Sequence, residues 1–268
     1  VFARLSKAAV ERKTAADTVR KHEAGPTEAM ETVDAAQRTQ HLKHAFSRIM
    51  KGDIAPLSDA AVAGALPEAA QRLLSRGRAQ AFEALLASIG DALGDGDPEI
   101  RAVAARILAE IDDRMADDGR LEERIVLSKK LAEWVSREAV VSEAYQVVTE
   151  QLKRLADKLI GEDRTAEATH ILEAYHLILS GNPGKDEAIT ALASNVLQNL
   201  STDYILDILL ANPEKVNEWS GENRIYSLVL MGATTVERLH DRLLESHNRS
   251  ERNRIIQAVT QMGDSAVG

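Results

Sequence analysis

Apolar residues recur along most of this chain at steps of three and four positions, with polar residues between them. This spacing places apolar side chains on one face of an α-helix, whereas a half-buried β-strand would alternate at every second residue. The clearest stripes are Phe82, Leu85, Leu86, Ile89 and Leu93; Ile100, Val103, Ala104, Ile107, Leu108 and Ile111; and Tyr145, Val148, Leu152, Leu155 and Leu159. The pattern therefore predicts a chain of amphipathic helices.

The amino-acid composition favours the same all-α class. Aromatic residues are 3% of the 268 residues, with six prolines and 15 glycines, which is few for the strands and turns of a sandwich or barrel. The absence of cysteine excludes disulfides, thiolate nucleophiles and cysteine-based metal sites. The sequence has no run of 18 apolar residues and no secretory signal pattern, so we expect a cytoplasmic protein that does not cross a membrane.

Residues 1–52 form a distinct N-terminal region. Two long and thinly apolar helices are predicted over residues 2–22 and 27–50, and Gly25–Pro26 separates them. The pair is predicted to be either an antiparallel hairpin or a connector from an upstream domain.

The main domain is predicted to begin at residue 66. Residues 53–66 have room for one short helical turn at most, and Pro67 suits the first position of the helix that follows. We therefore expect a helical repeat domain over residues 66–268.

The segment that begins at Asp97 resembles a HEAT repeat. Its start combines a capping carboxylate, a proline at the first helical position and an acidic residue near the positive end of the helix. The residues that match the second helix of a HEAT repeat are Asp97, Ile100, Arg101, Ala104 and Leu108, and the match covers about a tenth of the chain. The resemblance implies a right-handed α-solenoid of stacked helical hairpins of the HEAT/armadillo type, here with a long helical N-terminal segment.

A second pattern repeats with an offset of 31 residues. Residues 231–236 (Met-Gly-Ala-Thr-Thr-Val) match residues 262–267 (Met-Gly-Asp-Ser-Ala-Val), and the offset also pairs Ile225 with Ile256. This predicts a helix, a Met-Gly stop and a new helix in each copy. Chance agreement between two amphipathic helices is the alternative. Because Gly268 falls where the next helix of this pattern should begin, we expect the native polypeptide to continue beyond it.

Three motifs resemble parts of known ligand-binding sites, but each lacks residues that such a site requires. Residues 181–186 have too few residues between the glycines for a phosphate loop, and no Ser or Thr follows the lysine. Residues 95–99 resemble the start of a calcium loop, but Ile100 stands where that loop needs glycine. His41 and His44 share a helix face without an evident third ligand. We predict no catalytic residue, no cofactor and no metal site.

The formal net charge of −9 is unevenly distributed. Residues 1–50 carry +3, residues 51–220 carry −12, and residues 221–268 are neutral. Proteins that bind nucleic acids usually have a basic excess on the scale of a domain. The acidic middle of the chain therefore argues against a nucleic-acid partner.

Six arginines near the C-terminus are the candidate partner-binding residues: Arg224, Arg238, Arg242, Arg249, Arg252 and Arg254. One interpretation is a basic concave groove of the kind that HEAT-like DNA glycosylases use to hold a phosphate backbone. The other is pairing with neighbouring acidic residues, which are Glu222, Glu237, Asp241, Glu245 and Glu251. The equal numbers of acidic and basic residues favour pairing.

The sequence therefore leads to two functional hypotheses. The first is a non-catalytic interaction or scaffold module that binds proteins and belongs to a larger cytoplasmic polypeptide, because stacked hairpins leave a long exposed groove. The alternative is a nucleic-acid-binding or DNA-repair module that uses the C-terminal arginines.

Overall fold

A computed structural model describes residues 26–181, 185–211 and 218–265, and these residues are helical without any strand. The predicted all-α class is confirmed, whereas the helix expected over residues 2–22 lies outside the described residues. The α-helices are α1 (Pro26–Ile49), α2 (Ala60–Ser75), α3 (Ala79–Asp91), α4 (Pro98–Asp117), α5 (Leu121–Arg137), α6 (Glu143–Gly161), α7 (Thr165–Gly181), α8 (Glu187–Leu200), α9 (Asp203–Leu210), α10 (Glu218–Met231), α11 (Ala233–Glu245) and α12 (Arg249–Ser265). Short 3₁₀ helices occupy Ala55–Ser58 and Ala92–Gly94. In the described part of the chain, no helix is both long and apolar enough to cross a bilayer.

Side-chain caps define several of the helix starts. The Asp97 carboxylate accepts a hydrogen bond from the Glu99 backbone N–H at 2.8 Å, and Pro98 is the first residue of α4, as the sequence predicts. The Ser142 hydroxyl likewise accepts from the Tyr145 N–H at 3.1 Å at the start of α6. Each cap satisfies a backbone donor that has no partner within its helix.

Helix α2 begins earlier than the sequence predicts. It starts at Ala60, where the Asp59 carboxylate accepts from the Ala61 N–H at 2.8 Å. Pro67 therefore lies inside the helix, and the predicted boundary at residue 66 falls within α2. The proline interrupts one hydrogen bond, but the cap and the burial of side chains such as Leu66 hold the helix on both sides of it.

The two Met-Gly sequences occupy different places, so the predicted helix stop is wrong for the second copy. Gly232 has a positive φ of 60° and separates α10 from α11, whereas Gly263 lies inside α12. The paired side chains differ as well, since Ile225 is 5% exposed and Ile256 is 50% exposed. Helix α10 packs against α7, α9, α11 and α12, while the main contacts of α12 are with α9, α10 and α11. The repeated residue types therefore do not have equivalent environments.

The main helix contacts join elements one to three positions apart along the chain. One row of packed helices runs through α2, α4, α6, α8 and α11, and a second row runs through α5, α7, α10 and α12. Helix α1 packs on α2 and α3, and the short helix α9 contacts α6, α10 and α12. Buried apolar side chains form one continuous core between Ala45 and Ala258.

Buried polar contacts fix neighbouring helices within this core. Arg124 on α5 donates to Asp112 on α4, with Nη2 2.8 Å from Oδ2 and Nε 3.0 Å from Oδ1. Burial raises the pKa of the Asp112 carboxyl, and the Arg124 guanidinium opposes that rise. The Gln151 Nε2–H on α6 donates to the Ala109 carbonyl on α4 at 2.9 Å. These contacts specify how the helices pack, because each polar group needs its partner once it is buried.

Candidate binding groove

A groove with a volume of about 480 Å³ lies between the C-terminal half of α1, the exposed face of α2 and the side of α3. Its lining residues are Thr39, Leu42, Lys43, Phe46, Met50, Ala65, Glu68, Ala69, Arg72, Leu73 and Leu85. The floor is apolar and the charged side chains stand at its margin. A concave apolar surface with a few polar groups around it is the usual form of a binding site.

The sequence forms this groove through helical spacing and small side chains. Leu42, Phe46 and Met50 follow one another at steps of four, so they lie along one side of α1 and remain half-buried. Opposite them, Ala65 and Ala69 leave room that longer side chains would fill. The other face of α2 is covered, since it packs against α4.

The margin of the groove is formed by three charged side chains. Glu68 and Arg72 form an ion pair one helical turn apart on α2, with Oε1 2.5 Å from Nη2. Their side chains are 57% and 67% exposed, so the pair contributes little to stability. Lys43 is exposed on the α1 side. All three are therefore accessible from the mouth of the groove.

The candidate arginine Arg224 is buried and forms hydrogen bonds with other helices of the same chain. It is 5% exposed, and its Nη2 donates to Asp163 Oδ1 at 2.6 Å. Its Nη1 also donates to the carbonyl of Ala211 at 3.1 Å, just after the end of α9. Arg224 thus connects α10 to the α6–α7 turn and to the end of α9.

The other candidate arginines differ in their exposure and contacts. Arg238 donates to the carbonyl of Ser201 at 2.6 Å, Arg252 donates to the carbonyl of Leu243 at 2.9 Å, and Arg254 donates to the carbonyl of Leu210 at 2.6 Å. The pKa of Arg254 is lowered by burial and by the nearby charge of Arg224. Arg249 is exposed at the start of α12.

Arg242 lies beside a polar cavity of about 390 Å³ between α9, α11 and α12. Its Nε is 2.7 Å from Glu251 Oε1, and it also pairs with Asp207. A hydrogen bond from Ser246, together with Arg242, lowers the pKa of Glu251.

The predicted pairing of the arginines is therefore only partly correct in its details. Arg242 pairs with Glu251, as expected, and also with Asp207. Arg224 pairs with Asp163, which was not among the expected partners. The structure does not bring the six guanidinium groups together on one open face, because several of them point into turns between helices.

The histidines suggest neither a metal site nor a catalytic pair. His41 Nε2 lies 2.8 Å from Asp59 Oδ2, and His44 is exposed. Among the described residues, no group of three or more side chains is placed to hold a metal ion. Ser128 Oγ and His170 Nε2 are 2.8 Å apart, but Ser128 is 1% exposed, so a substrate has no access to its hydroxyl.

Of the groove residues, Leu85 belongs to an apolar stripe that the sequence predicts, but the groove itself is not predicted. Leu42, Phe46 and Met50 fall within the thinly apolar helix predicted over residues 27–50. A signal was present, because a row of large apolar side chains at steps of four was followed by the small residues Ala65 and Ala69 in the next helix. What the sequence lacked was the relative position of α1 and α2, which depends on tertiary packing.

No family model and no curated protein matches this chain. The solved structures to which it is similar include two engineered proteins from the Northeast Structural Genomics Consortium. The first has 17% identity over 81% of this chain and 97% of its own, with a TM-score of 0.34. The second has 16% identity over 90% of this chain, which spans 61% of that protein, with a TM-score of 0.40.

Proposed function

We propose that this chain is a non-catalytic protein-interaction module of the cytoplasm, built as a right-handed HEAT-like α-solenoid. The two rows of helices support the solenoid, since each row grows by packing the next helix onto the last. The HEAT-like segment adds support. Its Arg101, near the start of α4, donates to the Asp95 carbonyl in the α3–α4 turn at 2.9 Å and to Glu138 just after α5, so it joins three consecutive helices.

The observation that carries the proposal is the apolar groove between α1, α2 and α3. Phe46, Met50 and Leu73 are large apolar side chains that remain half-buried along it. Burial of apolar surface of this kind by a partner favours the complex by about 25 cal/mol per Å² of area removed from water. A groove lined by helices is also the usual receptor for an amphipathic helix.

The contacts of the C-terminal arginines favour a protein partner over the nucleic-acid alternative. A phosphate backbone is bound through accessible cations whose counterions are released. Arg224 is instead buried against Asp163, and Arg238 and Arg254 donate to main-chain carbonyls. These contacts give the arginines a role in joining helices.

A peptide selection tests the proposal. A library of random helical peptides is selected on the immobilised full chain, and the enriched peptides are measured against Ala69→Trp, which fills the groove with an indole. The matched control is Ala191→Trp, at an exposed position of α8. We expect Ala69→Trp to weaken binding at least about tenfold and the control to bind normally. Enriched peptides that bind both variants equally would place the binding site elsewhere and contradict the proposal.

A further inference from the structure

The charged side chains around the groove are mainly basic, although the chain as a whole has a net charge of −9. Lys43 and Arg72 line the groove, with Glu68 as the acidic residue in the lining. Arg38 is exposed one turn before Leu42 on α1, and Arg76 is exposed one turn beyond Arg72 at the end of α2. Both therefore extend the basic margin along the helices that form the groove.

Between residues 35 and 76 every acidic side chain is paired, and because Glu68 offsets Arg72, the excess positive charge belongs to Arg38, Lys43 and Arg76. Glu68 is held by Arg72 at 2.5 Å. Asp53 lies 2.7 Å from Arg48, Asp59 is hydrogen-bonded to a histidine of α1, and neither aspartate lines the groove. An approaching ligand therefore meets an apolar floor with an excess of positive charge at its edge.

The dimensions of the groove fit a short helix. Its α1 side extends from Thr39 to Met50, which corresponds to about 16 Å of helix. A partner helix of about three turns would cover that length and present apolar residues at positions i, i+3 or i+4, and i+7.

We propose that the occupant of this groove is an amphipathic helix of a partner protein, with acidic residues on both flanks of its apolar stripe. The inference rests on the proposed function and adds the charge of the partner. The apolar stripe packs on Leu42, Phe46 and Leu73, while the flanking carboxylates face Lys43 and Arg72. Complementary charge of this kind sets the choice and orientation of a partner more than it sets total affinity.

The test uses two synthetic 18-residue helical peptides with the same leucine stripe. One carries glutamates on both flanks and the other carries lysines. Binding to the full chain is measured by fluorescence anisotropy at 50 and 500 mM NaCl. We expect the glutamate peptide to bind at least about tenfold more tightly at low salt, and its advantage to fall to about threefold or less at high salt because exposed charges are screened.

A charge reversal sharpens the test. The double variant Lys43→Glu/Arg72→Glu should invert the preference and favour the lysine peptide. The matched control is Lys129→Glu/Arg137→Glu on α5, where Arg137 pairs with Glu133 at 2.5 Å, much as Arg72 pairs with Glu68. The control should keep the preference of the unmodified chain.

The outcomes separate this inference from the proposed function. If the lysine peptide binds equally well or better, and Ala69→Trp abolishes that binding, the acidic partner is wrong while the groove remains a docking site. If neither peptide binds, or if Ala69→Trp changes nothing, both proposals fail at this groove. Self-association of the chain that Ala69→Trp abolishes would assign the groove to a second copy and overturn the inference.

Discussion

At the scale of single residues, long polar side chains hold this helical protein together at its turns. Arg224, Arg238 and Arg254 all reach main-chain carbonyls at or just beyond the C-terminal ends of α8 and α9. The last carbonyls of a helix lack partners within the helix, and a cation is favoured at that negative end of the helix dipole. Arginines that appeared from the sequence to be a binding surface therefore act, in these cases, as links between helices.

Replacing the buried arginine should destabilise the protein. Arg224→Met leaves the Asp163 carboxylate without its donor and removes one of the two arginine donors to the Ala211 carbonyl, so we expect the free energy of unfolding to fall by about 1–3 kcal/mol. The control Arg249→Met changes an exposed arginine and should cost no more than about 0.5 kcal/mol. Urea unfolding of both variants measures the difference, and equal stabilities would contradict the internal role of Arg224.

His170 should make the stability of the protein depend on pH. Burial and the charge of Lys129 lower its pKa to about 4, against about 6.5 in an unfolded chain. The unfolded chain therefore binds more protons between these two values, and the free energy of unfolding decreases as the pH falls through 6.5. We expect His170 to account for a loss of about 1–2 kcal/mol between pH 7 and pH 5.

The variant His170→Gln keeps a polar group near Ser128 and removes this titration. Its free energy of unfolding should change less between pH 7 and pH 5 than that of the unmodified chain. His44→Gln, at an exposed position, should retain the original slope. Identical slopes for His170→Gln and the unmodified chain would show that His170 is not held neutral by the fold.

At the scale of helices, local signals and tertiary packing contribute differently to the fold. The start of α4 was predictable because Asp97, Pro98 and Glu99 act within one turn. The start of α2 was not, because Pro67 suggested a boundary that the Asp59 cap and the core contacts of α2 override. A proline costs a helix one hydrogen bond and a local kink, which buried apolar contacts on both sides can offset.

The cap of α2 can be tested with a conservative pair of substitutions. Asp59→Ala removes the acceptor for the Ala61 N–H and the contact with His41, so we expect a loss of about 1–2 kcal/mol. Asp59→Asn retains an acceptor at the cap, and its loss should be about 0.5 kcal/mol or less. Thermal unfolding of both variants decides the point. A helix that truly began near Pro67 would leave both variants equally stable.

The 31-residue repeat and the groove show what a sequence pattern does not determine. Ile225 and Ile256 occupy equivalent positions in the pattern, yet one is buried by several helices and the other is half-exposed. Residue spacing defines which face of a helix is apolar, but the neighbours of that face come from tertiary packing. For the same reason, the stripe of Leu42 and Phe46 was predictable as part of a helix, while the groove beside it was not.

At the scale of the whole molecule, each helix has its main contacts with helices close to it in the chain. We therefore expect a destabilising substitution to loosen mainly the helices near it. Leu108 is fully buried in α4, which packs against α2, α3, α5 and α6. Leu108→Ala removes about 2–5 kcal/mol of packing free energy. We expect faster amide hydrogen exchange in α2–α6 and unchanged exchange in α10–α12, because α4 has its main contacts with α2, α3, α5 and α6. A uniform increase over the whole chain would indicate one closed core.

Hydrogen exchange also tests the central claim, that the groove of α1, α2 and α3 receives a partner helix. Exchange is measured for the full chain alone and when saturated with the glutamate-flanked peptide. The account predicts slower exchange over residues 39–50 and 65–73 and around Leu85, with α11 and α12 unchanged. Protection of α11 and α12 instead, where five of the six candidate arginines lie, would contradict it.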